Sequence, residues 1–226
     1  MILRTTLLFL LLSFATASAH TQSAYTDALH TGANEYQVWA AYSPGSITWI
    51  GKSEARRMFE AGAGWRRVLL ATNNIAWKFT VDIVPAALVS QPTVNGVEVV
   101  SDPRHLVFPA VCAPTSCGLT IGRRTTYGVG FAPIGFEFNF RRKRRIQPVA
   151  GINAGLLRFS REVPIAGSAS INFTFSLEAG LQIFTSPSRS LSVSYRYHHT
   201  SNADSGTPFN PGIDSNFIYA GYSFHR

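Results

Sequence analysis

Apolar and polar residues alternate one by one over several long stretches of this chain, and helical spacing is nearly absent. Ile75, Trp77, Phe79, Val81 and Ile83 form one apolar row, with Ala76, Lys78, Thr80 and Asp82 between them. Ile171, Phe173, Phe175, Leu177, Ala179, Leu181 and Ile183 form a second, longer row. Opposite it run Ser170, Asn172, Thr174, Ser176, Glu178, Gly180 and Gln182. Residues two apart on a strand share a face, so such rows separate an apolar medium from a polar one. The second run exceeds the usual strand of about 5–6 residues. It suits the ~9–11 residues that a tilted strand needs to cross a bilayer.

Eight strands are predicted, near residues 34–43, 58–71, 74–86, 126–140, 146–160, 169–185, 189–201 and 214–224. The connections at 72–73, 141–145 and 186–188 are short, whereas those at 44–57, 87–125 and 202–213 are long. Barrels of the outer membrane have short periplasmic turns and long outer loops. With both termini periplasmic, the first, third, fifth and seventh connections are the outer ones. The expected fold is therefore all-β, an eight-stranded antiparallel transmembrane β-barrel of the outer-membrane type. Lys78, Asp82, Glu137, Glu178 and Arg196 would then pair across its lumen. A soluble sandwich could carry the same charges on its outside, so alternation alone leaves that rival open. Ile218, Ala220, Tyr222 and Phe224 alternate almost to the last residue, as a closing strand does. Trp39, Trp65, Trp77 and the tyrosines are either interfacial girdles or scattered packing residues.

The N-terminus changes the picture from a barrel to an exported one. Arg4, the run Leu7 to Leu12, and Ala17-Ser18-Ala19 read as a signal peptide over residues 1–19, cleaved before His20. Residues 20–226 then form a single barrel domain. The formal charge of +8 becomes +7 once Arg4 is removed. For an exported protein, that balance favours phosphate-bearing outer-membrane lipids over nucleic acid. The basic run Arg141 to Arg145 reads as a solvated periplasmic turn. Cys112 and Cys117 share one loop and are expected to form a local disulfide. No metal or other cofactor is expected.

Chemistry concentrates near the end of the seventh strand. Leu191, Val193, Tyr195, Tyr197, His199 and Ser201 share one row, the apolar outward one. A serine hydroxyl becomes a nucleophile when a base takes its proton, and an imidazole does so best when a carboxylate fixes its tautomer. Asp214 lies in line with the apolar row of the eighth strand, which should pair with the seventh. Ser201, His199 and Asp214 are thus a candidate nucleophile, base and acid. Polar residues at a strand–loop boundary remain the alternative, and His198, on the lumen row, suits a structural hydrogen bond.

The segments His199-Thr200-Ser201-Asn202 and Asn210-Pro211-Gly212-Ile213-Asp214-Ser215-Asn216, followed by an aromatic strand, resemble the PagL-type lipid A 3-O-deacylase family. Phe131-Ala132-Pro133-Ile134-Gly135-Phe136 and the stretch from Gly167 to Phe175 look like members described as acyloxyacyl hydrolases. The resemblance is carried by roughly the last hundred residues. It implies an outer-membrane carboxylic ester hydrolase that removes an acyl chain from lipid A, with its site on the outer wall near the extracellular leaflet. Ser201 would be the nucleophile, His199 the base and Asp214 the acid, where better-known members carry glutamate. Asn202 and Asn210 match positions near the family's oxyanion site. Arg104, Arg123 and Arg124 are candidates for the lipid A phosphates, against plain solvated charges. The competing readings are a non-catalytic structural or lipid-binding outer-membrane barrel and a soluble lipocalin-like one. Oligomeric state is left open, a homodimer being one option.

Overall fold

A computed structural model describes residues 28–107, 115, 117–205 and 210–226. The expected signal peptide and Cys112 of the expected disulfide lie outside these residues. The described residues form ten strands: β1 (Asn34–Ser43), β2 (Ser46–Ile47), β3 (Arg57–Ala71), β4 (Ile75–Val94), β5 (Val97–Glu98), β6 (Ile121–Phe140), β7 (Ile146–Phe159), β8 (Ile171–Ser186), β9 (Arg189–Ser201) and β10 (Ile213–His225). The eight long ones pair antiparallel with their sequence neighbours, and β10 pairs back to β1, from Glu35↔His225 to Tyr42↔Ile218. The sheet has closed on itself. It is an eight-stranded antiparallel barrel with no α-helix among the described residues.

Burial is inverted relative to a water-soluble protein, and this excludes the soluble sandwich and the lipocalin-like barrel. Lys78 is fully buried, whereas Ile218 is 68% exposed. Val38, Ile83, Phe131, Phe173 and Val193 also face outward. An apolar wall around a charged interior is what hydrocarbon surroundings require. Inside, Lys78 Nζ meets Glu35 Oε2 at 2.7 Å and Glu137 Oε1 at 2.8 Å. Arg196 pairs with Glu178 at 2.7 Å and lies 4.2 Å from the centre of the Tyr219 ring. Lys78 and Arg196 stay buried and charged because each has a hydrogen-bonded opposite. Trp39 belongs to this interior, donating to Asp82 Oδ1 at 3.1 Å, so it is not a girdle residue.

Two strands run further than the alternation predicts. β4 continues past residue 86 to Val94, and β6 starts at Ile121 instead of 126. Pro85 suggests a strand end, yet the ladder shifts register between Val84 and Ala87 and resumes. A bulge tolerates a residue without an N–H, which is why the proline does not end the strand. Beyond it, Asn95 and Gly96 both have positive φ, 50° and 79°, and turn β4 back into β5. That is the two-residue hairpin geometry which Asn-Gly favours. Much of the expected long connection at 87–125 is thus an extended ribbon.

Candidate active site

β9 and β10 pair in a register that sets Asp214 directly across from His199. Directly opposed residues hold their Cβ atoms about 4.5–5.5 Å apart, close enough for side chains to meet. His199 Nδ1 and Asp214 Oδ1 are 2.6 Å apart. An ionised carboxylate only accepts, so Nδ1 donates and Nε2 keeps a free lone pair. His199 is half-buried and continues the outward row of Leu191, Val193 and Tyr195. His198 points the other way, its Nδ1 lying 2.7 Å from Ser176 Oγ inside the barrel.

Asp214 is on the outward row too, but it is fully buried. The first outer loop covers it. β2 pairs Ile47 with Asp214 and Ser46 with Ser215. The chain then aims three consecutive N–H groups at Asp214 Oδ2, from Trp49 at 2.9 Å, Ile50 at 2.6 Å and Gly51 at 2.8 Å. These donors and the imidazole supply what a desolvated carboxylate needs to stay charged. The Trp49 ring meets Tyr197 edge-on at 5.0 Å, and Ser53 N donates to Gly212 O at 3.2 Å, fastening the loop to the wall. No side-chain pattern announces this cradle, because its donors are backbone groups. The glycine at position 51 is the only sequence trace.

Close approach makes two glycines necessary. A Cβ on Gly51 would stand 2.9 Å from the Gly212 carbonyl carbon. One on Gly212 would stand 3.1 Å from His199 Cε1, and Gly212 has a φ of +54° that other residues seldom adopt. If the His199–Asp214 pair is catalytic, Gly212→Ala is expected to lower turnover about 10- to 100-fold by displacing the imidazole, since displacements near 1 Å can cost that much. Initial rates would check this, with the heat-modifiable gel shift of a folded barrel unchanged.

The remaining predicted residues are placed less tightly. Ser201 lies at the end of β9, half-buried, two residues beyond His199 on the same row and opposite Phe173 of β8. Its hydroxyl makes no hydrogen bond with His199. Asn202 is fully buried; its Oδ1 accepts from Asp204 N at 3.2 Å, while its Nδ2 has no partner among the described residues. Asn210 Oδ1 likewise lacks one. The three loop arginines are engaged within the protein: Arg104 with the Asp102 carboxylate, Arg123 with the Ser90 and Ala55 carbonyls, Arg124 with Glu98 at 2.6 Å.

The model of the family described as "Lipid A 3-O-deacylase (PagL)" matches residues 113–223. Over that stretch, the chain is similar to the PagL family. The PagL match contains Ser201, His199 and Asp214 but not the loop of Trp49 to Gly51, so the cradle lies outside it. The crystal structure of the outer membrane enzyme PagL superposes with a TM-score of 0.57 at 19% identity, covering 82% of this chain and 97% of that one. The outer membrane protein OprG from Pseudomonas aeruginosa aligns at 10% identity and a TM-score of 0.46, over 88% of this chain and 98% of its own. No curated protein sequence matches the chain. The PagL family assignment supports a lipid A hydrolase, and the barrel supports an outer-membrane location.

Proposed function

We propose that this protein is an outer-membrane carboxylic ester hydrolase that removes an ester-linked acyl chain from lipid A, with Ser201, His199 and Asp214 as nucleophile, base and acid. The observation that carries this reading is the His199–Asp214 hydrogen bond on the outer wall, fixed by strand register. A barrel whose only task is structural gains nothing from a desolvated carboxylate held by three backbone donors at its lipid-facing surface.

Lipid A diffuses in the outer leaflet until an acyl ester reaches the wall beside Ser201. Ser201 Oγ attacks the carbonyl carbon while His199 Nε2 takes the hydroxyl proton. The tetrahedral oxyanion collapses, the sugar oxygen leaves with the proton from His199, and the acyl chain stays on Ser201. Water then attacks with His199 again as base, and the fatty acid departs. Asn202, whose Nδ2 has no partner among the described residues, is the candidate side-chain donor for the oxyanion, with Asn210 in the same loop as the second candidate. Such a donor typically contributes about 3–4 kcal/mol to the transition state. Hydrogen bonds between nucleophile and base are often absent before substrate binds, so the open Ser201–His199 contact suits a resting site. The chain matures from His20 in this reading, with its catalytic end at the extracellular leaflet.

Mass spectrometry of lipid A from Gram-negative cells bearing the folded protein tests the activity. Loss of one ester-linked acyl chain, relative to cells without it, is the expected result. Unchanged lipid A, including lipid A from the native host, would leave the structural barrel as the better reading.

A further inference from the structure

The end of the barrel that carries the start of β1, the end of β10 and the short turns collects positive charge. Arg67 is exposed near the end of β3, and the β6–β7 turn is basic throughout, from Arg141 to Arg145. Arg189 opens β9 and Arg226 follows β10, both exposed. Among the described residues no exposed aspartate or glutamate lies at this end. Glu35 and Glu137, the acids nearest it, face the lumen and are paired with Lys78. At the opposite end, by contrast, Arg104 and Arg124 each meet a carboxylate. Two of the turn's cations meet neutral acceptors: Lys143 donates to Asn73 Oδ1 at 2.9 Å and Arg145 to Phe184 O at 3.2 Å.

A second observation sets the depth of this rim. Immediately above it, outward residues of β3, β4 and β6 form a continuous aromatic belt. Trp65 meets Phe79 with ring centres 6.4 Å apart, Phe79 meets Phe136 at 5.9 Å, and Trp77 stacks on Phe138 at 6.1 Å. Aromatic side chains of this kind settle at the headgroup level of a bilayer. Phe140 ends β6 and Arg141 follows it, so the basic turn begins where the lipid phosphates lie.

We propose that the β6–β7 turn and the adjoining rim bind the phosphates of anionic phospholipids, of the phosphatidylglycerol type, in the periplasmic leaflet. Each basic residue close to an anionic lipid surface strengthens association roughly fivefold. The proposal rests on the barrel and its charge distribution, not on the catalytic reading.

The test uses the folded protein in phosphatidylcholine vesicles, with either lipid brominated on its acyl chains to quench Trp65 and Trp77. The wild-type protein should select phosphatidylglycerol over phosphatidylcholine by at least about fivefold at low salt, a preference that fades as salt screens it. The variant R141Q/K143Q/R144Q should bring the preference to about twofold or less. R189Q/R226Q, in a different part of the rim, should reduce it by a smaller factor, and carries the comparison if the turn variant fails to fold. Equal quenching by the two lipids in the wild type, or an unchanged preference in the folded variants, overturns the proposal. So does displacement of phosphatidylglycerol by soluble, carboxylate-bearing peptidoglycan fragments.

Discussion

Ser201→Ala is expected to abolish deacylation, lowering turnover by at least about a thousandfold, while the barrel folds and inserts as before. Removing the nucleophile of a serine hydrolase leaves only what oxyanion stabilisation and substrate binding supply. Ser201 sits at the strand end, half-buried and without structural hydrogen bonds to its neighbour His199, so alanine leaves the wall intact. The measurement is single-turnover release of fatty acid from purified lipid A, at matched amounts of heat-modifiable barrel. A variant retaining a tenth of wild-type activity would remove Ser201 from the nucleophile's role and direct attention to water activated by His199.

Asp214→Asn should be nearly as damaging, roughly 10³- to 10⁴-fold in turnover, for a reason that the first outer loop dictates. An asparagine could in principle turn its oxygen toward His199 and preserve the hydrogen bond. Here it is prevented from doing so. Three backbone N–H groups, those of Trp49, Ile50 and Gly51, converge on the Oδ2 position and demand an acceptor there. The amide oxygen must face the loop, and the NH₂ must face His199. Nδ1 then has to accept, which places the ring proton on Nε2, where the base is needed. The imidazole is held in its inactive tautomer by an otherwise conservative change. Rates measured on purified lipid A, together with the chemical shifts of ring-labelled His199 in micelles, would report both effects. Activity within threefold of wild type would show that the tautomer is not set by Asp214.

Much of this arrangement was legible in the sequence, because a two-residue period is hard to counterfeit. The rows through Ile75 and Ile171 gave the faces, and the parity of His199 and Ser201 followed from Leu191, Val193 and Tyr195. Register across a tight β9–β10 pair then brought Asp214 opposite His199. Where local pattern and tertiary context diverge, the reading stopped short. The third strand was expected to end at residue 86 but runs on past a bulge at Pro85 to Val94, and Trp39, left between girdle and packing residue, turns its ring to Asp82 in the lumen. The cover over Asp214 was invisible for a deeper reason. It is made of main-chain N–H groups some 163 to 165 residues away in the chain, and every residue has such a group.

That separation has a consequence for when the protein can act. The cradle belongs to the loop after β1 and the carboxylate to β10, so they meet only where the first and last strands join. A chain with its seam open can already set Asp214 opposite His199 across β9 and β10, but the carboxylate lacks the three backbone donors of the cradle. On the proposed mechanism, the acid therefore gains its full support only when the first and last strands join, so activity is expected to follow closure of the cylinder.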